Sequence, residues 1–171
     1  MMKGLVGDRS GTAGVEFALL IPMLILLFLG TITLFDLYRE YWRQVQATHI
    51  VSDLISRETV VSDAYLTKVF DVYSGLLNVE AAGKAMRISS VTFNGKDYIS
   101  VWTVEKGDPD LIPKQKLSNA GLPAMSSTDT VIYVESFGTH KPFSSYLGFA
   151  NMTFAEAAVA RPRFVSAIIK E

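Results

Sequence analysis

The sequence predicts an α+β protein. One long N-terminal helix, apolar over its first half, carries a second helix packed on a roughly four-stranded antiparallel sheet. Three observations predict this. From Phe17 to Phe35 there are 19 consecutive residues without a charge. Residues 63–77 set Leu66, Val69, Phe70 and Tyr73 on one helical face. From Met86 onward the pattern turns to strand-like runs, the first two joined by Asn94-Gly95, the strongest short signal for a hairpin with a two-residue type I′ turn.

The first helix is expected from Thr12 to about Arg57, with no Gly or Pro after Gly30. As one continuous rod it would be about 69 Å long. Its uncharged run alone spans about 28 Å, close to the ~30 Å hydrocarbon core of a bilayer. Pro22 lies inside that run and removes one helical hydrogen bond, which kinks or loosens the turn unless the membrane environment simply tolerates it. Gly30 would allow close approach of a neighbouring helix. Past the run, Leu37, Tyr38, Tyr41, Trp42 and Val45 share one face, and Ala47, Ile50, Val51, Leu54 and Ile55 share another. The first stripe suits headgroup-level aromatics or contacts with neighbouring subunits, the second the surface on which a sheet packs. A single core stripe on a slightly bent helix is the alternative.

The second helix starts at a cap supplied by Ser62 or Asp63 and ends in a turn region with Gly75, Asn78 and Gly83. Strands are expected at Met86–Phe93 and Lys96–Glu105. Five Gly and Pro residues between Lys106 and Met125 mark a surface excursion, with at most a helical turn near Lys116–Ala120. Thr130–Phe137 is the third strand, followed by a polar loop through Pro142 and Gly148. Met152–Arg161 is the fourth, stopped or bulged at Pro162. Phe164–Ile169 continues as a strand or finishes as a tail.

Charge and composition narrow the function. With 16 basic and 17 acidic residues and a pI near 6.1, the chain shows no basic stripe, so no nucleic-acid partner is expected. There is no cysteine, hence no disulfide, thiolate metal site or Cys nucleophile. His49 and His140 are the only imidazole bases, and neither has the setting of a hydrolase site. Asp108 and Asp110 flank Pro109 but fall short of the about six to eight oxygens that Ca²⁺ takes, and read as turn chemistry. No enzyme activity, cofactor or metal is expected. Asp53 and Arg57, four apart, pair on the helix surface. Arg161 and Arg163, either side of Pro162, are placed to clasp Asp53 or Glu135 across the fold as a scaffold contact.

Glu16 stands at the mouth of the apolar run, where an isolated carboxylate needs a partner or a place at the interface. Three readings of the segment compete. A cleaved secretory signal needs a small-residue site after the apolar core, whereas this core runs into Leu34-Phe35-Asp36-Leu37-Tyr38-Arg39. An ordinary single-pass anchor would leave Glu16 in the headgroup layer. The third reading is a prepilin-type signal, cut before the apolar run. Gly11-Thr12-Ala13-Gly14-Val15-Glu16-Phe17 resembles the Gly/xxxx-Glu-Tyr/Phe processing site of Flp-type pilins and Tad-pilus pseudopilins.

That resemblance implies cleavage by a prepilin peptidase between Gly11 and Thr12. The new α-amine at Thr12, with a reference pKa of ~7.7–8.0, would meet the Glu16 carboxylate of a neighbouring subunit inside the apolar bundle. Phe17, Pro22 and Gly30 would serve helix packing. Further along, Asp53-Leu54-Ile55-Ser56-Arg57, Val101-Trp102, Val131-Ile132-Tyr133-Val134-Glu135 and Arg161-Pro162-Arg163 are similar to landmarks of TadE/TadG-like pilus-assembly proteins, in that family's order. Phe137-Gly138-Thr139-His140-Lys141-Pro142 departs from it, lacking a more aromatic run before the Pro.

The chain so divides into a leader (1–11), a transmembrane helix (12–35) and a periplasmic α+β head (36–171) in a pilin-like lollipop. The resemblance implies a minor pilin of a Tad pilus in the bacterial inner membrane. It implies as partners the prepilin peptidase, the major Flp-type pilin, other minor pilins and the inner-membrane assembly platform. Lys3 and Arg9 against Asp8 favour a cytoplasmic N-terminus, opposed by Arg39 and Arg43 beyond the run. An uncleaved, single-pass, membrane-anchored periplasmic binding module is the alternative.

Overall fold

The computed structural model describes residues 10–77, 83–114, 121–127, 129–142 and 151–171, with residues 10–13 described by backbone alone. Helix α1 runs Ser10–Ser56 without interruption, Pro22 included. There follow β1 (Val60–Val61), α2 (Asp63–Leu76), β2 (Lys84–Phe93), β3 (Tyr98–Gly107), a 3₁₀ turn at Pro109–Leu111, β4 (Thr130–His140), β5 (Met152–Ala160) and β6 (Ile169–Lys170). The protein is α+β. Its main sheet has the order β3-β2-β4-β5, and each neighbouring pair is antiparallel.

The second half of α1 lies along the sheet. Near its start, His140 at the end of β4 meets Asp36, with Nε2 and Oδ2 2.8 Å apart. Near its end, the Arg163 amide beyond β5 donates to the Ser56 carbonyl at 2.9 Å, closing the last helical turn. The core fills the space between. Ala47, Val51 and Ile55 from α1, Leu66, Val69, Phe70 and Tyr73 from α2, and Met86, Ile88, Ile132 and Val134 from the sheet form one buried cluster. Helix α2 is held by Ser62, whose Oγ accepts from the Tyr65 amide at 3.2 Å, and by Asp63 in its first turn. The other sheet face is covered by the excursion between β3 and β4. Leu111 and Ile112 pack on Ala85 and Phe137, and Leu122 and Met125 pack on Val91, Val131 and Tyr133.

Several sequence expectations need correction. The two stripes of α1 differ in membership: Tyr38, Tyr41 and Trp42 of the first face out and Ala47, Val51 and Ile55 of the second are buried, but Leu37 of the first is buried, Ile50 of the second faces out, and Gln44 and Thr48 also lie inside. Leu37, Gln44 and Val51 are seven apart, the repeat that keeps a helix face turned toward one partner. The apolar pattern misled because polar Gln44 and Thr48 hold inward positions. The β2–β3 turn has four residues, since Phe93 pairs with Tyr98. The Asn94 side chain decides this: its Oδ1 accepts from the Lys96 and Asp97 amides at 2.9 and 2.7 Å, which organises a wider turn. Strand β4 extends three residues past Phe137 because Gly138, Thr139 and His140 pair with Phe154, Thr153 and Met152. The C-terminal tail joins a second, parallel pair, Val60↔Ile169 and Val61↔Lys170. The leader's residues 1–9, Asn78, the expected turn at 116–120 and the loop around Gly148 lie outside the described residues.

Candidate functional site

The unusual part of the molecule is the first half of α1. From Gly14 to Phe28 every residue is exposed, Phe17 at 60% and Leu27 at 65%. Such a continuous apolar surface on a single helix has to be covered by lipid or by other helices. Two of its polar side chains are satisfied within the helix: the Thr31 and Thr33 hydroxyls each donate to the carbonyl four residues back, both at 2.8 Å. Glu16 is the only ionisable residue between Gly14 and Phe35, and it is exposed. A Cβ placed on Gly30 would meet no atom within 4 Å, so no contact inside this chain requires a glycine there. Gly11 and Thr12 lie in the first turns of α1, their side chains outside the described residues.

Where the helix meets the sheet, the contact is polar. Gln44, 3% exposed, donates through Nε2 to the Ser136 carbonyl (3.2 Å), Ser136 Oγ (3.3 Å) and the Phe154 carbonyl (3.1 Å). Thr48 Oγ1 lies 2.6 Å from Ser136 Oγ and donates to the Gln44 carbonyl at 2.7 Å. Outside this seam, Tyr38, Tyr41 and Trp42 make edge-on contacts at 6.0–6.1 Å, and Tyr41 meets Phe154 at 5.9 Å. Sequence reasoning missed the seam. Its trace is a pair of polar residues four apart, Gln44 and Thr48, on the face that also carries Leu37 and Val51.

At the far end of α1, Asp53 holds two arginines. Arg57 donates to Oδ2 through Nε (3.0 Å) and Nη2 (2.6 Å), and Arg163 donates to Oδ1. The Arg57 hydrogen bond is the main influence holding the Asp53 carboxyl below the usual range, with both guanidinium charges adding to it. Arg161 instead pairs with Asp129 at 3.5 Å and reaches neither Asp53 nor Glu135. Glu135 belongs to a separate cluster on the outer sheet face, around Arg87. That guanidinium, in a residue 6% exposed, meets Glu105 at 2.9 Å, Glu135 at 3.3 Å and the Pro113 carbonyl. Burial pushes the Glu135 carboxyl up despite Arg87. Asp108 caps the 3₁₀ turn, its Oδ1 accepting from the Asp110 amide at 3.1 Å.

The fold and this site define the class: an α+β head built on the second half of a helix whose first half is long and apolar enough to cross a membrane. Compared with protein-family models, with curated proteins and with solved structures, the chain gives no match in any of the three.

Proposed function

We propose that this chain is a structural subunit of a Tad-type (Flp) pilus assembly system, a TadE/TadG-like minor pilin. Its apolar helix half spans the inner membrane, the N-terminus is cytoplasmic and the head is periplasmic. A prepilin peptidase cuts between Gly11 and Thr12. The mature chain then joins the major pilin and other minor pilins on the assembly platform, where it initiates or caps the fibre. The observation that carries this reading is a bare apolar helix with a single acid, Glu16, near its start. A lone carboxylate on such a surface is tolerable when it meets a cation from a neighbouring chain, and a cut after Gly11 would create one close by, at Thr12. Head and anchor share one helix, so a pull on the anchor reaches the sheet directly through Gln44 and Thr48.

Co-expression with a prepilin peptidase tests it. The expected outcome is a mature N-terminus at Thr12 by mass spectrometry, with loss of the leader, about 1 kDa. A cleft of about 870 Å³ on the outer face of the β2–β3 hairpin, reaching from Arg87 and Tyr98 to Lys114, favours a second reading, an uncleaved anchored binding module. In that case the same experiment returns an unshortened chain.

A further inference from the structure

The charge pattern where α1 leaves its apolar run points to a ligand. Asp36 is the first charged residue after that run, and its carboxylate is engaged by His140 at 2.8 Å. Around the pair lies a cleft of about 350 Å³ lined by Ile32, Phe35, Asp36, Arg39 and Lys141. It is assembled from two elements distant in sequence, the helix and the end of β4. Its floor is apolar and its rim carries two cations. Arg39 and Lys141 are both exposed, and neither makes an ion pair with another described residue. Arg43, on the next turn, is occupied by Glu40 at 3.7 Å.

We infer that this cleft holds the headgroup of one anionic phospholipid. The phosphodiester sits between Arg39 and Lys141, and the first acyl carbons lie against Ile32 and Phe35. Three features favour a lipid over a soluble anion. The cations lie within about two turns of the end of the uncharged run, at the depth of a headgroup layer. The wall below them continues into the bare apolar surface, which a free phosphate would leave uncovered. An arginine and a lysine converging from two elements suit a phosphate oxygen pair, the guanidinium in bidentate fashion and the ammonium as a point charge. His140 has a defined part: it gives the one carboxylate in the cleft a partner at 2.8 Å, which leaves Arg39 and Lys141 to the anion. The ligand would fix the depth and rotation of the head relative to the membrane before any assembly step.

The inference rests on α1 spanning a membrane and not on cleavage or pilus assembly. The full chain in detergent micelles is titrated with phosphatidylglycerol, phosphatidylcholine or inorganic phosphate, and bound adducts are counted by native mass spectrometry. One phosphatidylglycerol should be retained, with phosphatidylcholine weaker and inorganic phosphate not competing. Arg39→Gln with Lys141→Gln should weaken phosphatidylglycerol binding about 25-fold, about fivefold for each cation removed. Lys68→Gln, an exposed cation on α2, should change nothing. Because all three side chains are exposed, unchanged melting of the variants shows that the fold is kept. Equal binding by the double variant overturns the site, as does displacement of the lipid by inorganic phosphate. A wild-type chain that retains neither lipid and stays soluble without detergent overturns the membrane reading as well.

Discussion

Gln44 sits where a helix and two strands meet, and its buried amide nitrogen donates to three acceptors on β4 and β5. Gln44→Ala should therefore cost about 1–3 kcal/mol, read as a lower unfolding midpoint in detergent. Gly138 faces the same side chain, and a Cβ there would come 2.8 Å from Gln44 Oε1. Gly138→Ala should destabilise the wild-type chain but add little in the Gln44→Ala background, a non-additivity that a double-mutant cycle measures. Two carboxyls should respond to pH with opposite sign. Asp53 is held below its ordinary value, so its stabilisation is present above about pH 4 and lost as pH falls through the lower folded value. The melting difference between wild type and Asp53→Asn should accordingly vanish in acid. Glu135 is raised by burial, so its favourable, protonated contribution exists below its unfolded value and is lost as pH rises through the folded one. Glu135→Gln should then flatten the fall in stability between mildly acidic and neutral pH.

At the scale of elements, α1 is a single helix with two environments. Its C-terminal half is an ordinary core helix whose inward stripe repeats every seven residues through Leu37, Gln44 and Val51. Ile55, fully buried, and Ile50, 45% exposed, lie on opposite sides of it. Ile55→Ala should cost about 2–5 kcal/mol, whereas Ile50→Ala should stay within about 0.5 kcal/mol. Equal losses would mean that the helix is rotated relative to the sheet. The hairpin shows the same dependence on partners: Gly107, with φ +91°, ends β3 where a Cβ would stand 2.2 Å from the Lys84 carbonyl oxygen. The tail is held from a distance, with Trp102 Nε1 donating to the Ile168 carbonyl at 2.9 Å while β6 pairs with β1.

For the whole molecule, the consequence is that the apolar half of α1 and the head are joined by one continuous helix. No loop separates them: the bare surface runs as far as Phe35, 65% exposed, and Leu37, two residues on, is buried, within the same helix. In the proposed pilus role, Glu16→Gln should leave cleavage at Gly11 largely intact and block incorporation, because the head folds far from residue 16 while the charge pair with Thr12 of a neighbour is lost. Mature chain accumulating in the membrane fraction but missing from sheared fibres is the expected result. Normal incorporation would show that the acid has no part in joining subunits.

Sequence alone determined the order of the elements, the two helices, the four main strands and the uncharged run. Each of these rests on local periodicity, on caps such as Ser62, or on the absence of charge between Phe17 and Phe35. Only the tertiary structure decided which face of α1 is buried, that Arg163 reaches Asp53 while Arg161 turns to Asp129, and that Glu135 serves Arg87. It also brought His140 and Lys141 beside Asp36 and Arg39. The physical reason is that a hydrogen bond or ion pair between residues about a hundred positions apart leaves no periodic trace. It is set by strand register and by the angle at which a helix crosses a sheet, and neither is encoded within any one segment.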